Sequence, residues 1–179
     1  MTRVENEPSS LASPQGRRIL AAVVTGDAGE RIQAWRKEHD PAEARRLPPH
    51  MTLCYWLQAV EPERLEQQVR HAFDRPVVVR LGAVREFDND QQTFYVEVLD
   101  AAPLDRARER LYDGAFLNLP ELRAWTWHVT CVRESRDRDR ERLREAAGRL
   151  ELNRPWPVDR VAYLELRGDR YEPIAAWTV

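Results

Sequence analysis

A His-x-Thr unit occurs twice in this sequence, each time at the head of an apolar run, and it constrains the fold more than any other feature. The first unit stands in "PPHMTLCYWL" and the second in "WTWHVTCVR". Around each unit the apolar residues predict the order β-α-β-α-β, with the unit opening the second strand. Self-similarity over so long a period indicates two related lobes.

Apolar periodicity and turn residues predict the individual elements. Asp40-Pro41 ends the first helix, because the residue before a proline avoids the helical region. "FDNDQQ" predicts a turn, "GD" a hairpin turn, and 114–126 an irregular stretch. Strands are predicted over 17–24, 50–57, 77–84, 93–99, 127–133, 158–167 and 171–179. Helices are predicted around 32–39, 65–73, 103–112 and 143–150.

The domain organisation predicted from these elements is a single domain over 17–179. Its lobe-like repeats cover about 17–88 and 92–168, and a C-terminal strand follows at 171–179. Residues 1–16 lack the apolar core segment of a secretory signal. They are polar, and we expect them to form a disordered tail.

Composition narrows the class of protein and its surroundings. Apolar residues make up 42% and charged residues 32%, which is typical of a globular protein. No apolar run approaches the ~20 residues of a membrane span. The net charge of -2 provides no strong overall attraction for polyanions. Cys54 and Cys131 lie inside apolar runs, which predicts buried thiols in a reducing compartment. We therefore expect a cytoplasmic monomer that binds no membrane.

The two units suggest a specific chemistry. Side chains alternate along a strand, so His50 and Thr52 share one face, as do His128 and Thr130. Two imidazoles across a cleft can act as a base and an acid near neutral pH. Two hydroxyls can donate hydrogen bonds to the oxygens of a phosphoryl group. The combination is suited to attack on a phosphodiester.

Other interpretations of these residues are less well supported by the sequence. A single His-x-Thr arises easily by chance, but a second copy in the equivalent position favours catalysis, whereas His39 and His71 have no such counterpart. By alternation Cys54 lies on the face of His50 and could be a nucleophile, although a small buried filler fits it better. No metal-ligand spacing occurs, so neither a metal nor a cofactor is predicted. A glycine-rich phosphate loop is also missing, which disfavours an ATP-dependent ligase or kinase.

Two further features have a structural explanation. The run "RESRDRDRERLREAAGR" alternates in sign and is better explained as a solvated helix face than as an RNA-binding arm. The aromatic residues near the units include candidates for stacking on a base, although core positions suit most of them. These candidates are Trp56, Phe94, Tyr95, Trp125 and Trp127.

The two motifs resemble the His-x-Thr strands of the 2H phosphoesterases, the superfamily of bacterial 2'-5' RNA ligase-like proteins and cyclic nucleotide phosphodiesterases. "PPHMTLCYWL" is similar to the first such strand, and "HVTCVR" to the second, which often ends in arginine. "YEPIAAWTV" resembles the last strand of the family. Leu57 and Gln58 stand where the family commonly has glycine, so the turn after the first motif departs from its pattern.

The resemblance implies a bilobal, pseudo-symmetric α+β fold in which two antiparallel sheets flank a central cleft and the helices lie outside. It implies metal-independent chemistry on 2',3'-cyclic phosphates or 2'-5' linkages of nucleotides or RNA ends. His50 and His128 would be the acid/base pair, and Thr52 and Thr130 would hold the phosphate. Arg133 matches the family's frequent arginine and is a substrate-binding candidate, although alternation places it off the His-Thr face. The alternatives are 2'-5' RNA ligation and a non-catalytic module that binds RNA ends.

Overall fold

The computed structural model describes residues 16–55, 59–87, 93–112, 125–133, 137–150 and 152–179. Within these ranges the chain forms eight strands and five helices. In order they are β1 (Arg18–Val23), α1 (Gly26–His39), α2 (Pro41–Arg46), β2 (His50–Cys54), α3 (Pro62–Ala72), β3 (Val78–Glu86), β4 (Phe94–Leu99), α4 (Ala102–Tyr112), β5 (His128–Val132), α5 (Asp137–Ala147), β6 (Arg154–Pro157), β7 (Arg160–Arg167) and β8 (Arg170–Thr178). None of these helices is both long and apolar enough to cross a membrane.

The strands form two four-stranded antiparallel sheets, which confirms the predicted α+β class. Sheet A has the order β2-β1-β7-β8, and sheet B has the order β5-β4-β3-β6. Sheet A combines β1 and β2 of the first repeat with β7 of the second repeat and the C-terminal β8, whereas sheet B combines β4, β5 and β6 of the second repeat with β3 of the first. The first repeat supplies β3 to sheet B, and the second supplies β7 to sheet A. The two sheets are therefore tied together by the exchange of a strand in each direction.

The alternation of side chains in β2 and β5 separates the core from the site. Met51 and Leu53 in β2, like Val129 and Cys131 in β5, are fully buried in the main hydrophobic core. The helices α3 and α4 pack against each other and add buried leucines to that core. The intervening residues of the two strands are thereby left to the opposite face.

Two elements were not predicted. The helix α2 begins directly after α1 because Pro41 is favourable in the first helical turn, and the Asp40 carboxylate accepts the Glu43 backbone N–H at 2.9 Å. The short strand β6 contains two prolines and pairs with β3 at the edge of sheet B, where a missing N–H is tolerated.

Some predictions fall on residues outside the described ranges, which include 1–15, 56–58, 88–92 and 113–124. They concern most of the polar tail, most of the "FDNDQQ" turn and most of the irregular stretch at 114–126.

One face assignment from the sequence is wrong. The pairing of β1 with β2 shifts register, so that Ala21 lies opposite Thr52 but Leu20 lies opposite Cys54. Because of this irregularity Cys54 turns into the main core instead of sharing the face of His50. The Leu53 carbonyl there accepts a hydrogen bond from Nε of the buried Arg108 at 3.0 Å.

Candidate active site

Each of the two histidines begins an edge strand, and the two edge strands lie side by side. His50 is the first residue of β2 in sheet A, and His128 is the first residue of β5 in sheet B. The strands β2 and β5 are in contact without hydrogen-bonding as one sheet. The exchange of strands between the repeats thus brings the two motifs together where the sheets meet.

Both imidazoles are oriented by the same local hydrogen bond. The Nδ1 of His50 lies 2.9 Å from the Pro48 carbonyl oxygen, and the Nδ1 of His128 lies 2.8 Å from the Thr126 carbonyl oxygen. A carbonyl oxygen can only accept, so Nδ1 carries the proton in each ring. In the neutral imidazole Nε2 is then the basic nitrogen, and both rings present the same tautomer.

The two threonines follow the histidines on the same faces. Thr52 is 9% exposed and Thr130 is 8% exposed. Within the described part of the chain neither hydroxyl has a hydrogen-bond partner. A nearly buried hydroxyl without a protein partner is suited to donate to a bound oxygen.

A cavity of about 210 Å³ brings the sequence candidates together. Both histidines, both threonines and Arg133 line it, together with residues from β1, α2 and β8. The complete lining is Arg17, Ile19, Glu43, Arg46, Leu47, His50, Thr52, Tyr55, His128, Thr130, Arg133 and Tyr171. The cavity therefore combines two imidazoles, two threonine hydroxyls, two phenols and three guanidinium groups.

The surroundings of the histidines favour neutral rings at neutral pH. Burial lowers the pKa of His50 to about 3. The positive charges of Arg36 and Arg133, and of His128 when it is protonated, act in the same direction, and the hydrogen bond to Pro48 opposes them. Burial also lowers the pKa of His128, helped by Arg133 and opposed by the Thr126 hydrogen bond. A bound anion opposes these effects, because a negative charge stabilises an imidazolium.

Arg133 lies in the cavity, not off the His-Thr face as alternation predicts. The strand β5 ends at Val132, so alternation no longer applies at the next residue. The Arg133 backbone N–H donates to Oδ2 of Asp40 at 2.9 Å. The Arg133 Nε lies 3.7 Å from Oε2 of Glu43. The other oxygen of Glu43, Oε1, lies 3.6 Å from Nη2 of the fully buried Arg36. The α1–α2 segment therefore fixes the position of Arg133.

Several lining residues escaped the sequence analysis because α2 was not predicted. Glu43, Arg46 and Leu47 come from α2 and its C-terminal end. The signal was present in "DPAEARRL", since an Asp-Pro step both ends one helix and begins the next. Tyr171 is the second residue of the strand β8, and nothing in its local sequence distinguishes it from a core aromatic residue.

Two aromatic rings lie beside His128. The rings of Phe87 and Tyr95 stack with centroids 3.9 Å apart, and both present edges or faces to His128 at 5.0 Å and 5.8 Å. Of the other predicted stacking candidates, Phe94 and Trp127 are buried, Trp125 covers the Arg108 guanidinium at 3.9 Å, and Trp56 lies outside the described residues.

Neither a metal centre nor a nucleophilic thiol is found in the described ranges. No three His, Cys, Asp or Glu side chains there come together as metal ligands. Burial raises the pKa of both Cys54 and Cys131 to about 12. A buried protonated thiol that faces the core does not act as a nucleophile.

The comparisons with known proteins agree with this arrangement. The solved structure of E. coli LigT in apo form shares 17% sequence identity with this chain and has a TM-score of 0.54, covering 93% of this chain and 98% of LigT. E. coli LigT complexed with 3'-AMP shares 19% at a TM-score of 0.54, with 92% and 98% covered. A crystal structure of a phosphoesterase shares 18% at a TM-score of 0.53, with 92% and 98% covered.

These likenesses show a shared fold, and no curated protein matches the chain by sequence. The family itself is shown by a model of the 2'-5' RNA ligase superfamily, which matches residues 25–170. The match covers both His-x-Thr strands. The chain therefore belongs to the 2'-5' RNA ligase superfamily, the 2H phosphoesterases that its two motifs resemble.

Proposed function

We propose that the protein is a metal-independent phosphodiesterase that acts on 2',3'-cyclic phosphates or 2'-5' linkages of nucleotides or RNA ends. The observation that carries this proposal is the pair of imidazoles in one cavity, each held through Nδ1. Each is followed by a threonine whose hydroxyl has no hydrogen-bond partner among the residues that the structure describes. Two equivalent proton-transfer groups beside two hydrogen-bond donors match the needs of phosphodiester cleavage.

In the proposed reaction the hydroxyls of Thr52 and Thr130 donate to the non-bridging oxygens of the phosphate. The Nε2 of one histidine removes a proton from the attacking water while the new P–O bond forms. The Nε2–H of the other histidine gives its proton to the leaving oxygen as the old P–O bond breaks. The two histidines exchange protonation states in each turnover, so no metal ion is required for proton transfer.

The electrostatic surroundings suggest which histidine has which role. The permanent charges of Arg36 and Arg133 both act against protonation of His50, whereas Arg133 is the one that acts on His128. We therefore assign His50 as the base and His128 as the acid in hydrolysis. On a 2',3'-cyclic phosphate the family resemblance favours release of the 3' oxygen and a 2'-phosphate product.

The solved relatives support a nucleotide or RNA end as the ligand. E. coli LigT has been crystallised with 3'-AMP, with ATP and with NADP+. The ligation of a 2',3'-cyclic phosphate to a hydroxyl is the reverse of cleavage of a 2'-5' linkage. The same two histidines would serve it with their roles exchanged, so ligation is the second candidate activity.

Incubation with 2',3'-cyclic AMP in excess chelator tests the proposal. The wild-type protein and a His71→Ala variant, which changes an exposed residue of α3, should both form 2'-AMP. His50→Ala and His128→Ala should not do so at a comparable rate. Turnover that needs an added divalent ion would overturn metal independence, and tight binding of 3'-AMP without any turnover would indicate the RNA-end-binding module instead.

A further inference from the structure

A pair of stacked aromatic rings lies beside His128 in sheet B. The centroids of the Phe87 and Tyr95 rings are 3.9 Å apart, and the two ring planes are inclined by 22°. The Phe87 centroid lies 5.0 Å from the centroid of the His128 ring at an interplanar angle of 90°, and the Tyr95 centroid lies 5.8 Å from it at 74°. The pair therefore adjoins the imidazole that we assign as the acid.

The strand register places both rings on the face of the site. Tyr95 lies opposite Thr130 in β5 and opposite Arg85 in β3. Residues directly opposite each other in antiparallel strands point to the same side of the sheet, so Tyr95 shares the face of Thr130. The Phe87 N–H donates to the Thr93 carbonyl at 3.0 Å, which continues the pairing beyond the end of β3. Because Phe87 stands two residues after Arg85, alternation returns it to that face.

The two rings are not part of the hydrophobic core. Phe87 and Tyr95 are half-buried, and neither belongs to the two hydrophobic clusters that the described residues form. By contrast Phe94, which precedes Tyr95, points to the other side of the sheet and is 1% exposed in the main core. Aromatic surface that stays partly exposed beside reactive groups is typical of a ligand-binding site.

The charged groups next to the pair are engaged with each other. The Nε of Arg85 donates to Oε2 of Glu97 at 3.1 Å, and Oε1 of Glu97 accepts the Ala83 N–H at 3.1 Å. Both oxygens of this carboxylate are thus occupied, and its charge balances that of Arg85. The surface that the pair offers to a ligand is therefore neutral and aromatic, which suits a flat uncharged ring better than a phosphate.

We propose that Phe87 and Tyr95 form the platform on which the base of the substrate stacks, and that this base belongs to the nucleoside that carries the leaving oxygen. The inference rests on the proposed function, in which His128 gives its proton to that oxygen. In a 2',3'-cyclic phosphate the base is bonded to C1', next to the carbons that carry the two phosphate oxygens, so it lies close to the acid when the phosphate is bound.

The platform narrows the substrate class. Every base has an aromatic face, so stacking accepts different bases. A cyclic phosphate of a sugar without a base lacks the group that the platform binds. The preferred substrates are therefore nucleotides and RNA ends, with little selection among the bases.

Binding calorimetry in chelator with 3'-AMP and with methyl β-D-ribofuranoside 3-phosphate tests the platform. The second ligand has a methoxy group in place of the adenine, and neither ligand is turned over. The wild-type protein should bind 3'-AMP roughly tenfold or more tightly, the order expected when one base stacks on an aromatic side chain. Phe87→Leu should bring the ratio of the two affinities close to one. Phe87→Tyr should keep the wild-type ratio, because the aromatic face is retained.

Phe73→Leu is the matched control, because it makes the same substitution in the main core at the end of α3. It should lower the stability of the protein and leave the ratio unchanged. A ratio near one in the wild-type protein would overturn the platform. A Phe87→Leu variant that binds both ligands more weakly by the same factor would also overturn it, since the ring would then act only by positioning His128. Thermal unfolding identifies a folding defect in Phe87→Leu, in which case Tyr95→Leu decides by the same criterion.

The outcome is independent of catalysis. If the preference for 3'-AMP depends on Phe87 but 2',3'-cyclic AMP is not hydrolysed, the proposed reaction fails and the base-binding platform stands. If 2',3'-cyclic AMP is hydrolysed but the wild-type protein binds the two ligands equally, the platform fails and the proposed reaction stands.

Discussion

At the scale of single residues, the same local hydrogen bond orients both histidines. Each imidazole opens a strand and donates Nδ1–H to the carbonyl two residues earlier. The bond needs no distant partner, so the strand start alone orients the ring. Two residues further along, alternation returns a threonine to the same face. A three-residue pattern is therefore enough to build each half of the site.

Replacing either histidine with alanine should lower kcat by roughly a hundredfold or more, the usual scale of general acid-base catalysis. The double variant should lose less than the product of the two single losses, because groups that act as a unit are not additive.

Thr52→Val and Thr130→Val should slow turnover while the pH dependence of the rate keeps its shape, since a hydroxyl that stabilises charge carries no transferred proton. Steady-state rates with 2',3'-cyclic AMP measure all five variants, and multiplicative losses in the double variant would contradict a joint role.

The lowered pKa values also predict how stability depends on pH. In the unfolded chain a histidine takes up a proton as the pH falls below about 6.5, whereas folded His50 stays neutral down to about 3. The unfolded state then binds more protons, so the free energy of unfolding decreases as the pH falls through this window. Above about pH 6.5 His50 does not affect the free energy of unfolding, because its ring is neutral in the folded and in the unfolded chain.

When the pH is lowered from 7 to 5, one such histidine decreases the free energy of unfolding by as much as about 2 kcal/mol. His50→Asn should therefore lose less stability than the wild-type protein when both are unfolded in urea at the two pH values. His71→Asn, at an exposed position of α3, is the control. An equal loss in His50→Asn and in the wild-type protein would show that His50 is not held neutral.

At the scale of elements, α2 connects the two halves of the site. Asp40 caps α2 through Oδ1 and accepts the Arg133 N–H through Oδ2. The same helix carries Glu43, which pairs with Arg133. One short helix of the first repeat thus fixes the end of β5, which belongs to the second repeat.

Asp40→Ala should destabilise the protein by roughly 1–2 kcal/mol, the usual cost of losing a side-chain cap. It should also weaken the binding of 3'-AMP, because Arg133 loses its backbone anchor. Asp27→Ala is the matched control, since Asp27 lies in the first turn of α1 and pairs with the exposed Arg154. Urea unfolding and calorimetry measure the two effects, and an Asp40→Ala variant with wild-type affinity would separate α2 from ligand binding.

The elements also show how far the sequence could predict the site. Strict alternation placed His50, Thr52, His128 and Thr130 on usable faces because each motif lies within a regular strand. It failed at Cys54 and Arg133, where a register shift and a strand end interrupt the period. The contribution of α2 could not be predicted from periodicity, because a helix of six residues is too short to show an apolar stripe.

At the scale of the whole molecule, the exchange of β3 and β7 makes each repeat depend on the other. Neither sheet is complete without a strand from the partner repeat. A cleft at the junction of two such sheets keeps its geometry as long as the fold is intact. The two pseudo-symmetric repeats therefore share a single cavity, to which each repeat contributes one histidine.

Unfolding should consequently be one cooperative transition. Far-ultraviolet circular dichroism and tryptophan fluorescence should give coincident curves in urea. The six tryptophans of the chain include Trp177 in sheet A and Trp156 in sheet B, so the fluorescence covers both sheets. A fragment covering 17–88 should not fold alone, because its β3 would lack both β4 and β6. Separate transitions, or a folded fragment, would contradict the interdependence of the repeats.

The pH dependence of kcat/KM for 2',3'-cyclic AMP tests the central claim most directly, because it reports the base and the acid of the protein before substrate binds. We predict a bell-shaped profile whose falling alkaline limb lies below about 6.5, the ordinary pKa of histidine, since burial and nearby cations lower both pKa values. The profile of kcat should lie at higher pH than the profile of kcat/KM, because the bound anionic substrate raises the pKa values of the two histidines. His128→Ala should lose the alkaline limb and His50→Ala the acidic one. A rate independent of pH, or a single-histidine variant that retains both limbs, would contradict two-histidine catalysis.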